Sequence, residues 1–483
     1  MTSGPLDRLA CRFFGGDAGK DRPAAVAAAR RVAVVTLLLS IVLRLGFAAL
    51  NLQFNDEHIE VSQVMAYEER IPMGRELWEA FQPKLYHGTV AAGLMLLPER
   101  HLPSEIRVAN FVSCLAGLVA LLALVRFTYG LKVREQLRYQ AIVLLALNPA
   151  LILITTQATN DAFVICFSIL TLLAGQRWFR SYRWQDWAWM MLFALLAGFS
   201  KGNSVVLPCA IGMTTLLLLG FKRSRPRSWK VALAGAALLV VGFVAVVGLV
   251  GPYRWHYEHY GSPFITNLNR QPIPHVWEQT YVLRPGVTSL AHSFLTFRLF
   301  DMLREPSVGV SFEEFNPART SAPSLLYGEA HSIHYACFLS DIRSDAPFVR
   351  MVTRAILLLA LPITLLMFVE LTRRSLAVVV AKAEPGDNSL LLTVACLGFI
   401  GFQVVYAIRY RDFSTVKTIF LMPALPGFIA ASVHGVERFT DRFGKSSLAG
   451  RVVHMCLAWL PMLYLADLFS ALASLTLARL TTS

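Results

Sequence analysis

Long apolar runs alternate with short polar turns along this chain. Runs close to the roughly 20 residues that a membrane-spanning helix needs occupy 32–51, 108–125, 139–157, 162–176, 185–200, 203–221, 231–251, 351–371, 389–408, 418–436 and 452–475. The pattern predicts an all-α polytopic membrane protein with about 11 transmembrane helices. One further stretch, "LYHGTVAAGLMLLP" (85–98), is apolar but short, and Pro98-Glu99-Arg100 closes it. It reads as an interfacial helix lying along the membrane. Counting it as a span would invert every later turn.

Charge decides the orientation. With the N-terminus cytoplasmic, the six inside segments hold 25 Lys and Arg, whereas the turn 155–161 holds none and the next outside turn only Lys201. The loops 52–107 and 252–350 then lie outside. Residues 1–31 form a cytoplasmic segment leading into a signal-anchor helix that is retained in the chain. The expected organisation is this segment, a helical core over 32–251 with external loop 52–107, a large external loop 252–350, and C-terminal helices over 351–483.

Composition supports the membrane reading. Hydrophobic residues make up 55% and charged residues 16%, against about 45–50% and about 25% in soluble domains. A net charge of +14 would suit nucleic acid, but the basic residues sit in short loops between apolar runs and set topology instead. No nucleic-acid partner is expected; the partner is the lipid bilayer. Five of the 7 cysteines fall inside apolar runs, and no spacing suggests a disulfide framework or metal cluster.

Polar groups gather at the external face. The first apolar run ends directly at "LNLQFNDEHIEVSQ", which presents Asp56 and Glu57. Lys84, Tyr86, His87 and Arg107 share that first loop; Asp161 ends the turn after the third run, Lys201 stands in the next outside turn, and Arg409, Arg411 and Lys417 follow the ninth run. A carboxylate can take a proton from an acceptor hydroxyl as general base. Cations can neutralise a departing phosphate, where charge develops in the transition state. Acids and cations together at a membrane surface suit transfer from a lipid-linked phosphate.

Blander roles exist for each group. An acidic pair past a spanning helix also suits a solvated loop, Asp161 suits an N-cap, and Lys201 can snorkel from a helix end. His331 and His334 in "EAHSIHYACF" have loose metal-ligand spacing without partner cysteines or an HExxH helix, so no metal site is expected, although a divalent metal stays possible. Arg409, Arg411 and Lys417 run against the orientation rule, which favours a functional reading there.

In order, "NDEH", "FQPKLYH", "SEIRVAN", "NPALILITTQATNDAF", "GFSKGNSVVLP" and "RYRDFSTVKTIFLMPALP" resemble the GT-C superfamily of membrane glycosyltransferases. The likeness is to the branch of protein O-mannosyltransferases and the lipid A aminoarabinose transferase. It covers 32–221 in order and 389–430 more loosely. It implies a GT-C-like fold and an inverting transferase. The enzyme would move a sugar from a polyprenyl-phosphate donor to a hydroxyl on a protein, lipid or glycan, at the external or periplasmic face of a bacterial inner membrane. Carried over residue by residue, Asp56 becomes the catalytic base with Glu57 beside it, and Asp161 the second acid. Lys84, Tyr86 and His87 would approach the donor phosphate or sugar, Arg107 and Lys201 would support the pocket, and Arg409, Arg411 or Lys417 would hold the lipid phosphate. The family's "KPPLYY"-like segment here reads Gln82-Pro83-Lys84-Leu85-Tyr86-His87, so the lysine is displaced.

Two other classes share parts of this pattern. A ligase or polymerase acting on a lipid-linked oligosaccharide also combines many spans with one large external loop, but the early Asp-Glu and "QPKLYH" argue against it. A lipid or solute transporter typically places ionisable groups near the bilayer midplane within repeated halves, whereas here the apolar runs hold few charges, Arg44 and Asp467 among them, and the second half does not repeat the first.

Overall fold

Every regular element is helical in the computed structural model, which describes residues 24–52, 58–74, 76–220, 229–265, 290–306, 321–333, 346–380, 389–410 and 416–482. The first apolar run becomes α1 (Ala24–Leu50). Two short helices follow in the first loop, α2 (His58–Tyr67) and α3 (Leu85–Leu94). At ten residues α3 is too short to span a bilayer, as the sequence pattern requires. The core continues with α4 (Leu102–Tyr129), α5 (Glu135–Ala146), α6 (Pro149–Ile154), α7 (Asp161–Ser181), α8 (Trp184–Gly198), α9 (Val206–Gly220) and α10 (Trp229–Val250). The second long loop contributes α11 (Pro252–Tyr260), α12 (Leu290–Leu295), α13 (Leu299–Arg304) and α14 (Ala322–His331). The chain closes with α15 (Pro347–Val379), α16 (Ser389–Tyr410), α17 (Leu425–Phe443) and α18 (Leu448–Thr482).

Among the described residues, eight helices are long and apolar enough to cross a membrane, and the chain is an integral multi-pass membrane protein. Three of the eleven apolar runs differ from the expected continuous span. The run 139–157 breaks at Asn148-Pro149. Proline has no N–H to donate, and Asn148 Oδ1 accepts the Leu151 N–H at 2.8 Å, capping a new helix. The run 185–200 yields only the 15 residues of α8. The run 418–436 opens with two 3-10 turns, Thr418–Phe420 and Met422–Ala424, before α17 begins.

Two apolar cores share α7. One joins α1, α4, α5, α6, α15 and α18 to α7 through residues such as Phe47, Leu124, Ile152, Ile356 and Leu468. The other joins α8, α9 and α16 to α7 through Trp178, Leu207 and Phe399. Lipid tails are as apolar as leucine, so helices in a membrane associate by close packing at small residues. Gly435 illustrates this: a Cβ there would meet Leu366 O of α15 at 2.5 Å.

Between α6 and α7 the chain leaves the helix at 155–160, and Thr155 through Asp161 are all buried. Irregular backbone at such depth persists only where protein groups satisfy it. Fully buried Arg44 of α1 donates to Thr155 Oγ1, and to Leu151 O at 3.3 Å. Ser113 Oγ of α4 donates to Thr159 O at 3.4 Å. Asn160 Nδ2 donates to Ser200 O at 3.1 Å. The last turn of α1 is held in the same way: Asn110 Nδ2 reaches Asn51 O at 2.6 Å, Arg107 Nε reaches Ala49 O at 3.2 Å and Arg479 Nε reaches Leu50 O at 3.0 Å. Cations at a helix C-terminus also complement its dipole.

Gly117 lets α4 lie against this segment, since a Cβ there would come 2.6 Å from Thr155 Oγ1. That hydroxyl is committed to Leu151 O at 2.6 Å and cannot swing away freely. Gly117→Val is expected to destabilise the folded protein by about 1–3 kcal/mol, the usual cost of overpacking. A lowered melting temperature in detergent checks it, and an unchanged one counts against this packing.

Candidate functional site

Asp161 is the first residue of α7, and Lys201 follows α8 in the turn before α9. Lys201 Nζ meets Asp161 Oδ1 at 2.6 Å, with side chains only 15% and 9% exposed. Asp161 Oδ2 accepts the Thr159 hydroxyl at 2.9 Å. Asp161 therefore does not cap its helix, whose N-cap is Asn160. Both of its oxygens are taken. Burying two charges costs several kcal/mol each unless geometry and further hydrogen bonds offset it, and here the second oxygen has its own donor. Two backbone-linked contacts fix the pair. Asn160 joins the Asp161 side to Ser200, and the Leu85 N–H donates to Phe199 O at 3.0 Å, tying α3 to the Lys201 turn.

Beside the pair lies a buried aromatic and imidazole group. His58 Nδ1 and His87 Nε2 are 3.0 Å apart, and the rings stack with centroids at 5.2 Å. Tyr86 crosses the His58 ring edge-on and also meets Phe163 of α7 at 5.4 Å. Burial, and next the charge of Lys201, pushes His58 down to about 3, with Asp161 opposing. Burial, with His58 next, also lowers His87 well below the usual range. Both rings are thus neutral near pH 7, and one must donate to the other. Lys84 points back into its own loop, Nζ to Ala80 O at 2.5 Å, and burial pushes it down to about 7 against the pull of Glu79 and Glu76.

The late turn arrives from the other end of the chain. Lys417 opens the 3-10 turn Thr418–Phe420, and the Phe420 ring lies 5.4 Å from Lys201 Nζ, within cation–π reach. Glu329 of α14 accepts the Thr418 N–H at 2.8 Å and is pushed up to about 7 by burial, with Thr418 and Lys417 opposing.

The fold therefore brings together Asp161, Lys201, Tyr86 and His87 from the early segments and the Lys417 turn from the late one. Arg107 is exposed and occupied with the α1 carbonyl. Arg409 is exposed in the last turn of α16. Asp56, Glu57, Arg411 and His334 lie outside the described residues. Among the described residues no group of three or more His, Cys, Asp and Glu is placed to hold a metal. Sequence reasoning missed Thr159, Phe420 and Glu329, and gave His58 no role in the site. His58 directly follows the Asp-Glu pair and carried a positional signal, whereas Phe420 and Glu329 look like ordinary core and loop residues. Chemically, the Lys201 ammonium has three N–H donors and gives Asp161 one, so it can also meet an anion.

The model of the dolichyl-phosphate-mannose-protein mannosyltransferase family matches residues 101–248, a stretch containing both Asp161 and Lys201. The resemblance to GT-C membrane glycosyltransferases is borne out there. No curated protein matches the chain. Among solved structures it is similar to the crystal structure of ArnT from Cupriavidus metallidurans bound to undecaprenyl phosphate. That likeness is at 13% identity and TM-score 0.35, covering 86% of this chain and 80% of that one.

Removing one partner of a buried ion pair leaves an uncompensated charge. Lys201→Met should cost about 3–5 kcal/mol of stability, and adding Asp161→Asn should restore most of it. Melting temperatures of the single and double variants in detergent check this; equal losses in both would contradict the pairing.

Proposed function

We propose that this protein is a GT-C type glycosyltransferase that takes a sugar from a polyprenyl-phosphate carrier and transfers it, with inversion, to a hydroxyl acceptor on the external face of the membrane. The observation that carries the reading is the buried Lys201–Asp161 pair lying under Phe420 of the late turn. A cation shielded from water, with donors left for an anion, suits a departing phosphate. Its charge acts more strongly there than in water.

In this reading Asp56 takes the proton of the acceptor hydroxyl, and the resulting oxygen attacks the anomeric carbon opposite the phosphate. The carbon–oxygen bond to the phosphate breaks, and the polyprenyl phosphate leaves carrying the electron pair. Lys201 and Lys417, with Arg409 at the end of α16 and Arg411 two positions on in the sequence, offset its growing charge. Tyr86 and His87, both buried, back the donor site from behind without touching the sugar, and Glu57 flanks the base. Several cations facing a monophosphate leaving group can neutralise its charge. The family match over 101–248 supports the transferase class. The basic bias of the opposite turns supports the external face and a cytoplasmic N-terminus, and a bacterial inner membrane is the proposed location.

Asp56→Asn should leave the protein folded and lower transfer from a polyprenyl-phosphate sugar by about 10²–10⁴-fold, the usual contribution of a general base. Retained transfer by the purified variant would remove Asp56 from that role. A second outcome concerns pH. Burial lowers Lys84 from the usual lysine value, so its ammonium fades as pH rises through about 7. Because the folded protein holds that proton less firmly than the unfolded chain does, the melting temperature in detergent should rise as pH rises above about 7, and Lys84→Met should flatten that rise. A rise identical for both proteins would show that the Lys84 charge plays no part in it.

A further inference from the structure

The second long loop contributes α14, and the sequence assigns it no role. In the fold α14 is wedged into the helical bundle. Asn148 Nδ2 donates to Ala330 O at 2.9 Å, His331 Nδ1 meets the Tyr464 hydroxyl at 2.5 Å, and the Ile333 N–H reaches Asp467 Oδ2 at 3.0 Å. The segment is thus anchored to α6 and α18 on one side.

On its other side α14 holds the late turn. Thr418 is attached twice: its hydroxyl donates to Leu326 O at 2.8 Å and its N–H to Glu329 Oε2 at 2.8 Å. Ala322 and Leu325 pack in one apolar cluster with Val416 of the turn and Ala407 of α16. The N–H groups of a helical first turn have no partner within the turn. Lys417, at the N-cap position, supplies no side-chain acceptor, so the carboxylate of Glu329 does so from a distant element. Two residues further on, the Phe420 ring faces Lys201.

We infer that Glu329 is a positioning residue: by accepting the Thr418 N–H it sets the Lys417–Phe420 turn against the Asp161–Lys201 pair, so that the external loop controls the geometry of the donor site. The consequence for transfer rests on the function proposed above; the clamp itself does not. Misplacement of such a turn by about 1 Å is enough to cost up to about 100-fold in rate.

The test combines two readouts. In the first, Glu329→Ala should raise the donor KM and lower kcat, together reducing kcat/KM by about 10- to 100-fold. Glu329→Gln keeps an oxygen that can accept the same N–H and should restore most of the loss. In the second, Val416 is 1% exposed, so a cysteine introduced by Val416→Cys should resist a maleimide when Glu329 is present. The same cysteine should become labelled when Glu329→Ala is added, read by mass spectrometry of that peptide. Continued protection in the double variant overturns the clamp whatever the enzymatic result. So does a Glu329→Gln protein as impaired as Glu329→Ala. Absence of transfer by the unaltered protein would sink the proposed function while leaving the labelling result to decide the clamp.

Discussion

The segment 155–160 is a stretch of non-helical, polar chain packed inside an apolar bundle, and the arrangement around it follows from the need to satisfy its groups. Nothing in a lipid bilayer can hydrogen-bond a stray carbonyl or hydroxyl. Arg44 of α1, Ser113 of α4 and the turn after α8 each supply or receive a bond there. Those contacts fix three helices relative to α7, and they fix where Asp161 begins it. The glycine at 117 belongs to the same constraint, because α4 must come close enough for Ser113 to reach Thr159 O.

Electrostatics in the site follow from that burial. Asp161 is exposed by only 7%, so an unpartnered charge there would be costly, and Lys201 compensates it at 2.6 Å. The positive field of Lys201 adds to desolvation in keeping His58 neutral. The result is a region where one cation, one anion and two neutral imidazoles lie side by side with little water. Added negative charge, such as a phosphate, would meet ammonium donors that the protein has already desolvated.

The short helices of the two long loops are packed against the spans. α3 is tied to the turn before Lys201 through Leu85 and Phe199, and α14 lies between the bundle and the late turn. Short helices that bury Tyr86 on one side and Tyr327 on the other have little freedom to move separately from the core.

Hydropathy is a local property, so the sequence by itself determined where helices form: eight of the eleven apolar runs became helices of spanning length, the other three became broken or shortened ones, and "LYHGTVAAGL" became a short helix outside the spans. Even the break at Asn148-Pro149 had a local signal, since a missing N–H and a capping amide act within four residues. Charge pattern along the turns also singled out Asp161, Lys201 and Lys417 as polar groups at one face. Only the tertiary structure decided which of these groups meet. Lys201 finds Asp161 across 40 positions and Glu329 finds Thr418 across 89, whereas Arg107 turns to the α1 carbonyl. Such pairings depend on which helix ends pack together, and packing is set by shapes and buried bonds summed over the whole bundle. No single stretch of sequence contains that sum.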